Sequence, residues 1–214
     1  MISLTFRRYY LDKLLTENIS NFKGKILDIG GVKKNRRGNF QIPCFLEHNW
    51  FILNNNPNLN PDILATLPEI PTNEKYNTII LTEVIEYIPD TLFLLEEINR
   101  VLMPEGHLFI STPFLHPLHG DKEADLYRFT ETYLMKILLK DFELIKFVRM
   151  GGLFAVIYDQ IRTYLISKNT ISFSTLIAAK VLKFTSLFVL FLDKMTINKN
   201  EYVNTGFWIE LRKK

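Results

Sequence analysis

Four polar residues that follow an apolar run have side chains suited to acid–base chemistry. His116 and His119 come first, and Asp125 and Arg128 follow shortly after. Neutral imidazole accepts a proton at physiological pH, so we predict His119 as a general base, with His116 as an alternative that the sequence does not separate from it. Asp125 is then the orienting partner or another base, and Arg128 holds substrate or the loop. The structural alternative is a loop held together by an Asp125–Arg128 pair.

The spacing of His116 and His119 also fits two ligands of a metal ion. No third ligand follows at a suitable spacing, and the single Cys44 excludes a zinc site built from cysteines. We therefore predict no metal site in this chain.

A second candidate site lies where an apolar segment ends in paired glycines. Residues 25–29 read as a buried strand, which is followed directly by Gly30 and Gly31. Glycine lets the backbone approach a ligand closely, and Asp28 is placed to anchor the turn. In α/β proteins ligands bind at the carboxyl ends of the strands, so the exit of this strand is the first place to expect one.

Short apolar runs alternate with helical patterns along most of the chain. This order predicts a mainly parallel sheet with helices on both faces. We predict that Asp90 and Thr130 cap two of the helices. The predicted strands are residues 25–31, 50–53, 62–66, 76–81, 107–111, 142–148 and 202–211, and the predicted helices are residues 3–19, 92–102, 130–139, 153–167 and 173–193.

The order of these motifs resembles the class I S-adenosylmethionine-dependent methyltransferases, and in particular their type 11 methyltransferase domain. The resemblance covers about residues 23–152 and is strongest over LFLLEEINRVLMPEGHLFISTP, residues 92–113. The run PFLHPLHG at residues 113–120, followed by DLYRFT at 125–130, is similar to a subgroup associated with polysaccharide biosynthesis.

The resemblance implies a Rossmann-like α/β fold. Its sheet would be mainly parallel and seven-stranded, with an antiparallel closing strand and a helical insertion before it. We predict a single methyltransferase-like domain over residues 1–214. Its parts are an N-terminal cover helix at 1–20, a core at 23–150, an apolar helical insertion at 151–195 and a closing strand at 202–213.

The resemblance also implies that S-adenosylmethionine is the cofactor. Its binding residues would be Asp28, Gly30, Gly31, Asn54 or Asn55, Thr66 and Glu83. Several positions depart from the family pattern, among them Tyr87, which stands where the family has a histidine after the fourth strand. Val32 replaces a glycine of the turn, Asn54 or Asn55 replaces the acid that binds the ribose, and Thr66 replaces an aspartate that contacts the adenine. Each lost charge-assisted bond is worth about 1.5–3 kcal/mol.

The implied function is methyl transfer to a small acceptor, which would be a sugar or a lipid-linked saccharide. The alternative, favoured by Val32, Asn54 and Thr66, is a catalytically silent methyltransferase-like module that binds a partner or a membrane. Lys+Arg 26 against Asp+Glu 23 gives a net charge of +3, too small a surplus to predict a nucleic-acid partner. The lone cysteine and the absence of an export signal at the start favour the cytoplasm.

The apolar stretch after residue 151 leaves two interpretations open. Lys180 and Lys183 interrupt its longest segment, which favours an amphipathic helix over a membrane span. Its apolar face would pack on the domain or on a second copy in a homodimer. Alternatively, residues 153–195 contact the inner face of a membrane, with basic side chains toward anionic headgroups. Those side chains are Arg162, Lys168, Lys180, Lys183 and Lys194.

Overall fold

Seven strands form one sheet in a computed structural model that describes residues 4–34, 38–120, 123–166, 173–197 and 202–214. The strand order is β3-β2-β1-β4-β5-β7-β6. Pairing is parallel from β3 to β5, and β7 runs antiparallel to both of its neighbours. This is the Rossmann-like sheet that the sequence predicts. The strands are β1 (Ile26–Ile29), β2 (Trp50–Asn54), β3 (Ile63–Leu64), β4 (Tyr76–Thr82), β5 (Leu102–Pro113), β6 (Phe142–Met150) and β7 (Gly206–Lys213).

Five α-helices of the described residues cover the sheet. They are α1 (Phe6–Glu17), α2 (Thr91–Val101), α3 (Glu131–Leu138), α4 (Leu153–Ile166) and α5 (Phe173–Thr196). Both predicted caps are confirmed, because the side chain of Asp90 accepts the N–H of Phe93 and that of Thr130 accepts the N–H of Tyr133. Each cap satisfies a donor that the first helical turn leaves without an intrahelical partner.

The central strands alternate their apolar side chains between two cores. In β4, Ile79 and Leu81 pack with α2 and α3, whereas Ile80 packs with α1, α4 and α5. The same alternation places Phe109 and Trp208 on the side of α1. Successive side chains of a strand point to opposite faces, so a continuous apolar run marks a strand that is buried on both sides.

Two strands begin several residues away from their predicted starts. β5 begins at Leu102 rather than at His107, because the chain turns extended directly after α2 and pairs Leu102 with Tyr76. An irregularity in the register then absorbs the extra residues, with Glu105 at φ 58°. The closing strand begins at Gly206 rather than at Tyr202, whose side chain is exposed to solvent.

The topology fixes where a ligand site can form. β1 lies between β2 and β4, so the strand order reverses at β1, and the carboxyl ends of β1 and β4 flank the resulting crevice. Gly30 follows β1 and Glu83 follows β4, so both residues lie at this edge of the sheet.

Candidate functional site

The glycine turn after β1 has no room for side chains. Gly30 has φ +76°, and a Cβ added there would lie 2.4 Å from Cγ2 of Val84. A Cβ added at Gly31 would lie 2.4 Å from the carboxyl group of Asp28. The Gly30 N–H also donates to the carbonyl of Leu53 at 2.8 Å. The turn therefore needs both glycines. Because neither has a side chain, the backbone of the turn is accessible at the mouth of the crevice.

Asp28 lies beneath this turn. Its side chain is buried, and Oδ2 accepts a hydrogen bond from the indole Nε1 of Trp50 at 3.0 Å. Val32 is not among the described residues with positive φ, so this turn does not demand a glycine there. Asp28 thus lies below the crevice and not along its wall, and its role as the anchor of the turn stays a prediction.

A cleft of about 460 Å³ opens beside the turn, which is within the range of small-molecule sites. Four of the predicted cofactor-binding residues line it, namely Gly30, Asn54, Asn55 and Thr66. Most of the remaining wall is apolar and comes from β2, the segment after β3 and the segment after β4. Those other lining residues are Leu53, Ala65, Leu67, Val84, Tyr87, Ile88, Pro89 and Ala124.

The two asparagines at the end of β2 have different surroundings. The Asn54 side chain donates from Nδ2 to the carbonyl of Gly31 at 3.0 Å and accepts the N–H of Asn56 at 2.9 Å. Asn54 therefore joins the β2 exit to the glycine turn. Asn55 is exposed along the cleft. Of the two alternatives left open by the sequence, Asn55 has the side chain better placed to meet a ligand.

His119 lies among three carboxylates at one end of the cleft. Its Nδ1 is 3.3 Å from Oδ2 of Asp125, and its Nε2 is 3.4 Å from Oε1 of Glu86 and 3.8 Å from Oε2 of Glu83. Asp125 also accepts the backbone N–H of His119 at 3.0 Å. Carboxylates thus lie within ion-pair distance of both ring nitrogens, although neither nitrogen makes a hydrogen bond to a described residue.

Arg128 forms a two-pronged ion pair with Asp125, with N–O distances of 2.5 and 2.7 Å. Arg128 also donates to the backbone carbonyls of His116, Pro117 and Tyr127, so it holds the loop together. Hydrogen bonding from Arg128 and from the N–H of His119 opposes the effect of burial and lowers the pKa of Asp125 to about 2. The Asp125–Arg128 pair of the structural alternative is therefore present, and it also positions the carboxylate beside His119.

His116 has a different environment from His119. It is buried, its Nδ1 is 3.6 Å from Oδ2 of Asp159, and burial together with the nearby Arg7 lowers its pKa to about 2. A group so weakly basic stays neutral and makes a poor proton acceptor. The structure therefore favours His119 over His116 as the candidate base.

Arg7 reaches this cluster from α1 and was not predicted as a site residue. It is buried and forms an ion pair with Glu83, whose other oxygen accepts the hydroxyl of Ser111 at 2.8 Å. Burial lowers the pKa of Arg7 to about 10, so it stays charged at neutral pH. In the sequence it is one of two arginines that interrupt an apolar stretch, and the need to pair a buried cation is the signal that could have identified it.

Tyr87 connects the cleft to the histidine. It lines the cleft, its hydroxyl donates to the carbonyl of His119 at 3.0 Å, and the two rings are 5.7 Å apart. Burial raises the pKa of Tyr87 to about 12, so the phenol keeps its proton. A Cβ added at Gly120 would lie 2.4 Å from this hydroxyl, which explains the glycine after His119.

Glu83, Glu86 and His119 also meet the geometry of a metal site, with ligand atoms within 4.8 Å of one another. This set pairs His119 with carboxylates after β4, not with His116, so spacing along the loop did not reveal it. Arg7 already supplies a positive charge at Glu83. We therefore propose no metal ion here.

The sequence profile of a methyltransferase domain matches residues 4–137. The chain belongs to this methyltransferase-domain family, as the motifs between β1 and β5 predict. No curated protein matches the chain.

Solved structures with the same fold include three methyltransferases. The O-methyltransferase of a trans-AT polyketide synthase from Brevibacillus brevis, in complex with S-adenosyl-L-homocysteine, has a TM-score of 0.57 at 13% identity, covering 96% of this chain and 71% of that one. A SAM-dependent methyltransferase from Archaeoglobus fulgidus has a TM-score of 0.57 at 14% identity, with coverages of 96% and 94%.

The third is the N-methyltransferase NodS from Bradyrhizobium japonicum WM9, in complex with S-adenosyl-L-homocysteine. Its TM-score is 0.55 at 13% identity, covering 99% of this chain and 89% of that one. At such identities these likenesses establish the fold, and the chemistry must be argued from the site itself.

Proposed function

We propose that this protein transfers a methyl group from S-adenosylmethionine to a hydroxyl of a small acceptor. The observation that carries the proposal is the cleft at the strand-order reversal, which runs from Gly30 to Tyr87 and ends beside His119. Membership of the methyltransferase-domain family supports it, and so do the neighbouring structures that hold S-adenosyl-L-homocysteine.

The residues of the cleft fit the cofactor. The bare turn at Gly30 leaves room for the backbone to approach its amino-acid end, and Asn55 offers an amide to the ribose hydroxyls. Leu67, Val84 and Ile88 form apolar walls for the adenine ring. Thr66, in place of an acid, offers a hydroxyl beside it. S-adenosylmethionine is thus the cofactor that the cleft accommodates.

The ionisable cluster beyond Tyr87 receives the acceptor. When bound, the cofactor supplies a methyl group activated by a sulfonium. His119 accepts the proton that the acceptor hydroxyl loses, and Asp125 positions this residue by accepting its backbone N–H. Much of the remaining work is alignment of the acceptor with the methyl group, which a site of fixed geometry provides.

The acceptor we propose is a sugar or a lipid-linked saccharide. The loop sequences at 113–120 and 125–130, similar to a subgroup associated with polysaccharide biosynthesis, support this class. Arg128 would hold a carboxylate or phosphate on such an acceptor, in addition to the loop. The lone Cys44 supports a cytoplasmic site of action, where thiols stay reduced.

The experiment is transfer of label from methyl-labelled S-adenosylmethionine to a fractionated extract of small molecules and glycolipids. The proposal expects a labelled methyl ether on a saccharide, formed by the wild-type protein and not by a His119→Ala variant. Label on nitrogen or carbon would overturn the acceptor class. If the cofactor binds and no fraction takes up label, the methyl-transfer proposal fails.

The alternative function is a catalytically silent module that binds a partner or a membrane. The specific observation in its favour is the absence of an acid at both Asn55 and Thr66, where charge-assisted bonds would otherwise hold the cofactor. Failure to bind S-adenosylmethionine would decide for this function.

A further inference from the structure

Helix α5 exposes a continuous stripe of large apolar side chains. They recur at intervals of three and four residues, so they share one side of the helix. Phe184 is the most exposed, at 79%. With Leu187 beside them, the exposed residues cover an arc of about 120° on a helix of 3.6 residues per turn. The stripe consists of Ile177, Val181, Phe184, Phe188, Phe191 and Met195.

The opposite side of α5 is committed to the domain. Leu190 and Asp193 are buried, and Leu182, Val189 and Ile197 pack against the same core as α1. The exposed stripe therefore does not contribute to the core of the domain. Helix α4, which packs on α5, adds a second exposed row consisting of Leu153, Ile157, Ile161 and Tyr164.

Helices α4 and α5 pack on each other as a helical hairpin. The exposed charges of this hairpin are positive. Residues 151–197 contain only two acids, Asp159 and Asp193, and both are fully buried. The exposed ionisable side chains of α5 are Lys180, Lys183 and Lys194. Lys168 lies outside the described residues. An apolar face bordered by lysines and free of exposed acids complements an anionic, partly apolar surface.

We infer that the exposed stripe of α5 binds the surface of a bilayer that contains anionic lipids. The phenylalanines enter the boundary between headgroups and acyl chains, and the lysines reach outward to the phosphates. The helix lies along the surface, since among the described residues no helix is both long and apolar enough to cross a bilayer.

A second copy of the chain is a poorer occupant of the same stripe. Lys180 and Lys194 flank it, so two stripes packed face to face would bring like charges together with no exposed acid from α5 to oppose them. An anionic bilayer meets both properties of the surface at once, because it offers negative headgroups and an apolar interior.

Helix α4 also contacts the candidate site, through its buried side and not through its exposed apolar row. Asp159 of α4 accepts the N–H groups of Phe6 and Arg7 and is 3.6 Å from His116. The hairpin that would rest on the bilayer therefore forms part of the wall around the ionisable cluster.

The test is sedimentation of the full-length protein with vesicles of phosphatidylcholine, with and without phosphatidylglycerol. We expect binding to the anionic vesicles that weakens as salt is added. A Phe184→Ser/Phe188→Ser variant should bind at least tenfold more weakly, and replacing Lys180 and Lys183 by Gln should cost roughly fivefold per lysine.

Matched controls are Phe45→Ser and Lys140→Gln, which alter exposed residues elsewhere and should bind as the wild type does. S-adenosyl-L-homocysteine binding is measured on the same preparations, so a failure of the cofactor proposal is distinguished from a failure of this one. Absence of binding to anionic vesicles would overturn the inference. So would a dimer in vesicle-free solution that the Phe184→Ser/Phe188→Ser variant converts to a monomer.

Discussion

At the scale of single residues, the cleft offers a matched pair of substitutions in Asn54 and Asn55. Asn55→Asp places a charged acceptor beside the ribose position, and we expect S-adenosyl-L-homocysteine to bind roughly tenfold or more tightly, since a charge-assisted bond contributes about 1.5–3 kcal/mol. Asn54→Asp removes the donor to the carbonyl of Gly31, so it should destabilise the turn and not tighten binding. Calorimetry on both variants measures the contrast, and tighter binding by the Asn54 variant alone would refute this assignment.

The histidines provide a second pair. His119→Ala should reduce methyl transfer by roughly 100-fold or more while S-adenosyl-L-homocysteine affinity is unchanged, as expected for loss of a general base. His116→Ala should lower the free energy of unfolding, because this buried ring packs against His119 and Asp159. His48→Ala, on an exposed turn, is the control for both. Normal turnover by the His119 variant would exclude it as the base.

Asp159 gives a pH dependence of stability. Burial raises its pKa to about 6, against about 3.9 in an unfolded chain. The folded state therefore binds this proton more tightly, and the contribution to stability is present at low pH and lost as the pH rises through about 6. Relative to an Asp159→Asn variant, the wild type should gain about 1 kcal/mol between pH 7 and pH 5.

The difference between the two proteins is the quantity to measure, by urea unfolding at both pH values. His116, whose pKa is lowered to about 2, acts in the opposite direction in this range and is present in both. A constant difference from pH 7 to pH 5 would show that Asp159 has an ordinary pKa.

The residues of the site divide by whether local sequence determines their position. Gly30 follows an apolar strand directly, and His119 and Asp125 share one loop, so short motifs were enough to predict them. Arg7 and Asp159 are 152 residues apart in the sequence and meet only when α1 packs on α4. No local pattern encodes that contact, and both residues went unpredicted.

At the scale of elements, α4 depends on an aspartate from α5. Asp193 accepts the N–H groups of Gly152 and Ala155 at the start of α4 and the hydroxyl of Tyr10 from α1. Asp193→Ala would leave three buried donors without this acceptor, at about 1–3 kcal/mol each, so we expect a loss of at least about 3 kcal/mol.

Urea unfolding measures this loss. Asp141→Ala, at an exposed position, should change the free energy of unfolding by no more than about 0.5 kcal/mol. If Asp193→Ala lowers the free energy of unfolding no more than Asp141→Ala does, the start of α4 is held by the packing of α5 and not by this acceptor.

The elements differ in how far sequence determines their ends. β1 and β4 are buried on both faces and flanked by polar residues, and the helices after Asp90 and Thr130 begin at side-chain caps, so these starts were predictable. The start of β5 depends on pairing of Leu102 with Tyr76, and the start of β7 depends on where β5 and β6 leave room for it. Such boundaries are set by neighbouring strands and not by local propensity.

At the scale of the whole molecule, one sheet places the cleft and the ionisable cluster around His119 at the same edge. The reversal of strand order at β1 opens the cleft, and the loop after β5 sets His119 and Asp125 at its end. The sequence predicted this arrangement because methyltransferase motifs follow one another in the order of the strands. The order of the motifs does not predict the acceptor. The proposed acceptor class is therefore supported by the sequence of the loop after β5 alone.

Titration calorimetry with S-adenosyl-L-homocysteine tests the central claim, that this cleft binds the methyl donor. The wild-type protein should bind with a dissociation constant below millimolar. A Thr66→Trp variant, which fills the cleft with an indole at an exposed position, should lose binding while its circular dichroism spectrum stays unchanged. Wild-type affinity weaker than millimolar, or equal affinity in the variant, would contradict the account.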